Sequence, residues 1–317
     1  MNSTQLNSTQ LNSTQLNSTQ LNDNCAFCNG KLHNEIKIGK FKIPVEYAIC
    51  DDCKTAFIKE NYKPETIKYY SEEYEKWFYG ISNKITPIKN SFTDASARIF
   101  LLTEFVKIKN KKILDVGCGI AGCVSLMNII GAKAEGIEPS LNFSKFDKEI
   151  LNLNIKQGFI ETSKFDKKYD IITIFDVMEH IEKPIEVLNS IHNLLDDNGT
   201  LFLTTHHIKR AAFSVIYQQS HYFLFSIGSI ANLLYKTGFY LEKVMLWGGS
   251  INIIAKKFDS HSEKIYFECK YLEEYSKKEL KKYKINIISL LPKVYKLIFY
   301  HFLSIKEFKK AIKKFSL

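Results

Sequence analysis

The chain opens without the apolar segment and small-residue cleavage site of a secretory leader, which points to a cytoplasmic protein. It also lacks an even set of cysteines. There are seven, Cys25, Cys28, Cys50, Cys53, Cys118, Cys123 and Cys269, and an odd number without a leader argues against a disulfide framework. An unbroken apolar run able to cross a bilayer is missing too, because residues 285–305 are interrupted by Pro292, Lys293 and Lys296. Nor does the body of the chain carry excess charge. The formal net charge is +10, and from Glu263 onward fourteen lysines face six glutamates. A nucleic-acid surface on the body is therefore not expected.

What is present suffices for a nucleotide-binding domain plus an accessory module: 317 residues, 45% of them hydrophobic and 25% charged. Residues 2–21 are four copies of Asn-Ser-Thr-Gln-Leu. One leucine in five buries too little surface to offset ordering, so disorder is expected there. Next come Cys25, Cys28, Cys50 and Cys53 in a Cys-x2-Cys-x21-Cys-x2-Cys pattern. Two such pairs on tight turns can place four sulfurs around one structural Zn²⁺; the alternative is reduced cysteines in loops. In the tail, Ile287, Leu290, Leu291, Val294, Leu297, Ile298, Phe302 and Ile305 fall at helical spacing. Such a basic amphipathic helix either packs on the body with its lysines in solvent or lies peripherally on an anionic inner membrane surface.

From Lys112 onward apolar strands alternate with helical stretches: "KKILDVG", "GCVSLMNIIG", "KAEGIE", "SKFDKEILNL", "IKQGF", "YDIITIFDV", "PIEVLNSIHNLL" and "GTLFLTT". This alternation predicts a mostly parallel α/β sheet covered on both faces, preceded by a helix from Phe92 to about Lys107. After Thr205 the chain makes an excursion, then returns through a helix at about Ser226–Thr237. "FYLEKVMLW" and "INIIAKK" follow, separated by so few residues that they are expected to pair antiparallel at a sheet edge.

"LDVGCGIAG" places Gly117, Gly119 and Gly122 in a Gly-x-Gly-x-x-Gly turn, with Asp115 just ahead of it. A carboxylate there repels a pyrophosphate. S-adenosylmethionine has no phosphate and presents an α-ammonium, a sulfonium and a ribose. Asp115 can pair with the ammonium, and Glu138, ending the next strand, can accept from both ribose hydroxyls.

These residues resemble the class I S-adenosylmethionine-dependent methyltransferases over about Phe92 to Lys257. "ILDVGCG" is similar to the family's first motif, with Ala121 and Gly122 in place of its third glycine, and "GIEPS" to its second. The resemblance implies that Phe159 and Ile160 flank the adenine and that Asp176 to His180 line the site beneath the methyl donor. It implies a Rossmann-like seven-stranded sheet, with an N-terminal zinc-ribbon module and a C-terminal helical tail. The expected divisions are 1–21 repeats, 22–62 zinc-binding module, 63–110 helical linker or cap, 111–258 methyltransferase domain and 259–317 basic tail.

Transfer to an alcohol oxygen needs a base, and histidine is the natural one near neutral pH. His180, His206, His207 and His221 are expected on the carboxyl edge of the sheet, with His221 the first candidate and His180 the second; a structural role is the alternative for each. A four-cysteine module before such a domain resembles the C-methyltransferases of nucleotide-linked deoxysugars, as do "WGGSINI" and "IYQQSHYF". After Tyr217, however, this chain has Gln218, Gln219 and Ser220 in place of that group's His and Glu residues, and amides cannot deprotonate carbon. O-methylation of a sugar or surface-glycan precursor is therefore expected. The alternatives are C- or N-methylation of a nucleotide-linked sugar, a non-catalytic zinc-containing binding module, and an RNA methyltransferase.

Overall fold

The computed structural model describes residues 24–38, 44–60, 85–209, 211, 217–247 and 249–258. The repeats at 1–21, the stretch 61–84 and the basic tail 259–317 lie outside the described residues, and so do the expectations made for them.

The large sheet has seven strands: β4 (Lys112–Val116), β5 (Lys133–Glu138), β6 (Ile155–Gln157), β7 (Tyr169–Phe175), β8 (Leu195–His206), β10 (Phe239–Trp247) and β11 (Ser250–Lys257). Their order is β10–β11–β8–β7–β4–β5–β6. β6, β5, β4, β7 and β8 run parallel, while β11 pairs antiparallel with both β8 and β10. The expected closing pair therefore sits at the sheet edge.

Parallel strands joined by helical crossovers are buried on both faces, so their side chains read as continuous apolar runs. Successive residues still point to opposite faces. Ile113, Ile171 and Phe202 join one core with α1 (Ile85–Phe105), α2 (Gly122–Ile129) and α3 (Leu141–Glu149). Leu114, Ile172 and Leu203 join the other with α4 (Pro184–Leu194) and α5 (Ile227–Lys236). The helix expected from Phe92 begins earlier, at Ile85. A Cβ on Gly122 would stand 3.0 Å from the Ser91 carbonyl oxygen of α1, so α1 and α2 approach closely where the glycine turn enters α2.

A second sheet contains β1 (Leu32–Ile38), β2 (Pro44–Cys50) and β3 (Ala56–Ile58), all antiparallel. Its fourth strand, β9 (Phe223–Leu224), comes from the excursion after β8: Ala56 pairs with Leu224 and Phe57 with Phe223. Phe27 packs against Phe57, Phe223 and Phe225, and the Tyr47 hydroxyl donates to the Gln218 carbonyl at 3.0 Å. The cysteine-bearing strands thus hold the excursion in place. Ser226 fixes the next joint. It caps α5 by accepting from Ser229 N at 3.1 Å and donates its hydroxyl to the Cys53 carbonyl.

Replacing Ser226 by alanine removes the cap and leaves a buried carbonyl without its donor. Ser226→Ala is expected to lower unfolding free energy by about 1–2 kcal/mol. Chemical denaturation of parent and variant checks this; equal midpoints and slopes would show that the joint contributes nothing.

Candidate active site

The glycine turn follows β4 directly. Asp115, next to last in β4, lies between Gly136 of β5 and Thr173 of β7, and only 2% of its surface is exposed. Thr173 donates its hydroxyl to Asp115 Oδ1 at 2.6 Å. Burial pushes the Asp115 carboxyl up to about 7, while the Thr173 hydrogen bond and the Arg98 charge oppose that rise. Gly117 has φ +68°, and a Cβ there would stand 2.6 Å from Val177 Cγ2. Gly119 has φ +55°, yet nothing lies within 4 Å of its would-be Cβ. The turn is therefore left-handed at both glycines and open at the second, as a backbone that closes on a ligand requires.

Glu138 ends β5 and ties the turn to it. Its Oε2 accepts from Gly119 N at 2.8 Å and its Oε1 from Ser140 N at 2.9 Å. Each carboxylate oxygen offers two lone-pair sites, so one oxygen can accept from more than one donor. Phe159 and Ile160 follow β6 beside it, Phe159 half-buried and Ile160 buried. Asp147, which no motif marked, is buried and accepts from Ala121 N at 3.2 Å, anchoring the entry to α2.

Asp176 stands just past β7 in a left-handed conformation, φ +53°. Such a conformation is uncommon for a non-glycine residue, although aspartate adopts it more readily than most. The Arg98 guanidinium on α1 donates to Asp176 Oδ2, while buried Oδ1 has no hydrogen-bond partner among the described residues. Arg98 also lies over the Phe175 ring, 5.4 Å from its centre. Nothing in the sequence singled out Arg98, because its partner is far along the chain.

Past Asp176, a 3₁₀ turn over Met178–His180 presents Glu179 and His180. His180 Nδ1–H donates to the Ser220 carbonyl at 2.8 Å, and burial holds its imidazole below the usual range. The His180 and His221 ring centres are 4.6 Å apart, and those of His206 and His221 are 5.8 Å apart. The Gln218 amide lies 2.7 Å from His221 Nε2. The structure thus gathers His180, His206 and His221. It separates His207, which is buried in a parallel bridge with Phe225 and accepts from Lys209 N at 3.0 Å.

The four N-terminal cysteines also converge, with all sulfurs within 4.8 Å of one another. Cys25 Sγ lies 3.6 Å from Cys53 Sγ, and Cys28 Sγ lies 3.4 Å from Cys50 Sγ. Sulfurs around a tetrahedral Zn²⁺ stand about 3.8 Å apart. Both turns repeat one geometry. Asn29 N donates to the Cys25 carbonyl and Lys54 N to that of Cys50, with φ +64° at Asn29 and +60° at Lys54. The hydrogen bond between Cys25 and Cys53 lowers the Cys53 thiol and raises that of Cys25.

Two consequences follow for a cationic ligand at Asp115. Asp115→Ala and Glu138→Ala are each expected to weaken S-adenosylmethionine binding by at least about 1 kcal/mol, the scale of a charge-assisted hydrogen bond. Because the empty site keeps its proton until pH reaches about 7, affinity in the parent should climb as pH rises toward that value, with proton release on binding below it. The same raised pKa stabilises the empty fold at acid pH, and that contribution fades as pH rises through about 7. Calorimetry across pH checks both, and unchanged affinity in the two variants would remove these acids from the binding site.

Residues 92–244 match a family described as Methyltransferase domain. A ubiquinone biosynthesis O-methyltransferase of Glaesserella parasuis serovar 5 is 33% identical over 125 residues, which cover 36% of this chain and 53% of that protein. A mitochondrial ubiquinone biosynthesis O-methyltransferase of Schizosaccharomyces pombe is 31% identical over 122 residues, covering 35% and 44%. The chain spans about half the length of these curated relatives. Among solved structures, magnesium protoporphyrin IX methyltransferase of Synechocystis PCC 6803 with bound SAH superimposes with a TM-score of 0.47 at 16% identity, covering 61% of this chain and 98% of that one. The family match, the strand order and the acids closing β4 and β5 agree: residues 92–244 belong to the class I S-adenosylmethionine-dependent methyltransferases.

Proposed function

We propose that this protein methylates an oxygen of a small-molecule acceptor, a sugar or surface-glycan precursor. The observation that carries this reading is the placement of a histidine cluster beyond Asp176, on the same sheet edge as the Asp115 and Glu138 cradle. S-adenosylmethionine, when bound, supplies a methyl group made electrophilic by its sulfonium. Asp115 would hold its ammonium, Glu138 its ribose, and Phe159 and Ile160 its adenine. The open space at Gly119 and the unpartnered Asp176 Oδ1 both fit such a ligand. The chain's remaining task is to align the acceptor hydroxyl and receive its proton.

Oxygen is favoured over carbon because Gln218, Gln219 and Ser220 supply no base beyond His221. The relatives are O-methyltransferases of ubiquinone biosynthesis, which also favours oxygen and makes a quinol precursor the second reading of the acceptor. The four cysteines fit one structural Zn²⁺, with all four positions filled by protein and none left for chemistry.

Incubation with nucleotide sugars, glycans and quinol precursors, read by mass, should give one methyl ether from the first two classes. Products only from quinols would reassign the acceptor, and a carbon-methylated product would overturn transfer to oxygen. His221→Ala should lower turnover about 10²–10⁴-fold with cofactor affinity retained, the loss shrinking as pH rises and the hydroxyl ionises more readily. Turnover within a few-fold of the parent would take His221 out of proton removal.

Metal analysis should find one zinc bound by the four cysteines, lost when Cys25 and Cys28 are both serine. Because metal binding there is also folding free energy, residues 24–60 should become protease-sensitive in that variant. Equal zinc content in parent and variant would refute the site.

A further inference from the structure

Glu179, His206 and His221 come from three separate segments: the 3₁₀ turn after β7, the end of β8, and the excursion. Their carboxylate oxygen and imidazole nitrogens all lie within 4.8 Å of one another. Glu179 is 1% exposed. Its Oε2 accepts the Thr205 hydroxyl at 2.8 Å, whereas Oε1 is buried without a hydrogen-bond partner among the described residues and stands 3.7 Å from His206 Nε2. A buried carboxylate oxygen left without a donor is strongly unfavourable unless something else answers its charge. The imidazole of His206 is too far away to do so as a hydrogen-bond donor.

We infer that Glu179, His206 and His221 bind a divalent transition-metal cation at the acceptor end of the methyltransferase site. Two imidazoles and one carboxylate form a donor set suited to borderline cations such as Zn²⁺, Fe²⁺ or Co²⁺, with coordination positions left over for an incoming oxygen. Neighbouring groups hold these ligands in place. Thr205 fixes the Glu179 carboxylate, and the Tyr47 hydroxyl lies 3.4 Å from the His221 carbonyl as well as bonding that of Gln218. The Gln218 amide lies 2.7 Å from His221 Nε2; with its oxygen turned to accept the Nε2 proton, it orients the ring and leaves Nδ1 as the ligating atom. His206 keeps 23% of its side chain exposed and marks the side from which a cation and an acceptor enter.

The function of this site rests on the methyl-transfer reading, although its existence does not. A cation held there would lower the proton affinity of an acceptor hydroxyl, so that the O–H proton would leave to solvent while the oxygen lone pair forms the new O–CH₃ bond and the C–S bond electrons return to sulfur. His221 would then take part in proton removal as a ligand of the cation, and its replacement would lower turnover by that route. The site is separate in place and chemistry from the four thiolates.

Co²⁺ added to the full chain as purified tests this by calorimetry and visible absorption. One equivalent should bind with weak d–d bands and no thiolate charge-transfer band. Glu179→Gln and the partly exposed His206→Asn should each weaken it at least about tenfold. S-adenosylhomocysteine affinity and circular dichroism, measured on the same samples, should stay at parent values. Absence of Co²⁺ binding, thiolate bands alone, or parent-like affinity in both variants would overturn the cation site. Loss of Co²⁺ binding in correctly folded variants would support it. Co²⁺ binding in a parent that takes up no S-adenosylhomocysteine would leave the cation site standing and overturn the methyl-transfer reading instead.

Discussion

Asp115 carries its carboxyl into the interior between two parallel strands, where an ionised group has to be answered by a cation. The protein supplies only part of the answer: a hydroxyl from Thr173 and the more distant charge of Arg98. Burial consequently pushes the carboxyl up to about 7. On the proposed reading, that incomplete compensation would make the end of β4 selective: a pyrophosphate would add negative charge to it, whereas an ammonium would complete it. The left-handed glycines, the Glu138 carboxylate spanning Gly119 and Ser140, and the Arg98–Asp176 pair surround this point and keep the adjoining backbone open.

The histidine cluster has a different foundation. His206 ends the long strand β8, but His180 and His221 stand on short, irregular segments that would not hold one geometry alone. β9 solves this by adding the excursion as a fourth strand to the cysteine-bearing sheet, and Tyr47 and Ser226 pin its two ends. The cysteine turns therefore stand one layer behind the histidine cluster and share a continuous core with β9 and α5. Cross-linking those turns would stiffen the wall of the site without placing a metal within it.

Much of this was legible in the sequence because it depends on local periodicity and spacing. Strand and helix alternation located the α/β sheet, and the short Trp247–Ser250 connection implied the antiparallel pair. The cysteine spacing anticipated the convergence of four sulfurs. What escaped depends on contacts distant in sequence. β9 has two residues and pairs only with β3, Ala56 with Leu224 and Phe57 with Phe223, too short to leave a period-two signature. Arg98 lies on an amphipathic helix, where an arginine ordinarily reads as solvated surface. Glu179 was visible only as part of "DVMEH"; its unanswered oxygen emerges from three-dimensional packing against Thr205 and His206. The left-handed backbone at Asp176 likewise has no residue-type signal, since aspartate tolerates many conformations.

The most direct measurement of the central claim is a crystal structure of the full chain with S-adenosylhomocysteine. The ammonium should lie at the Asp115 end of β4 and the ribose hydroxyls on Glu138. The sulfur should face the space bounded by Asp176, His180, His206 and His221. A ligand whose sulfur points away from those histidines, or whose ribose leaves Glu138 bonded to backbone alone, would contradict it.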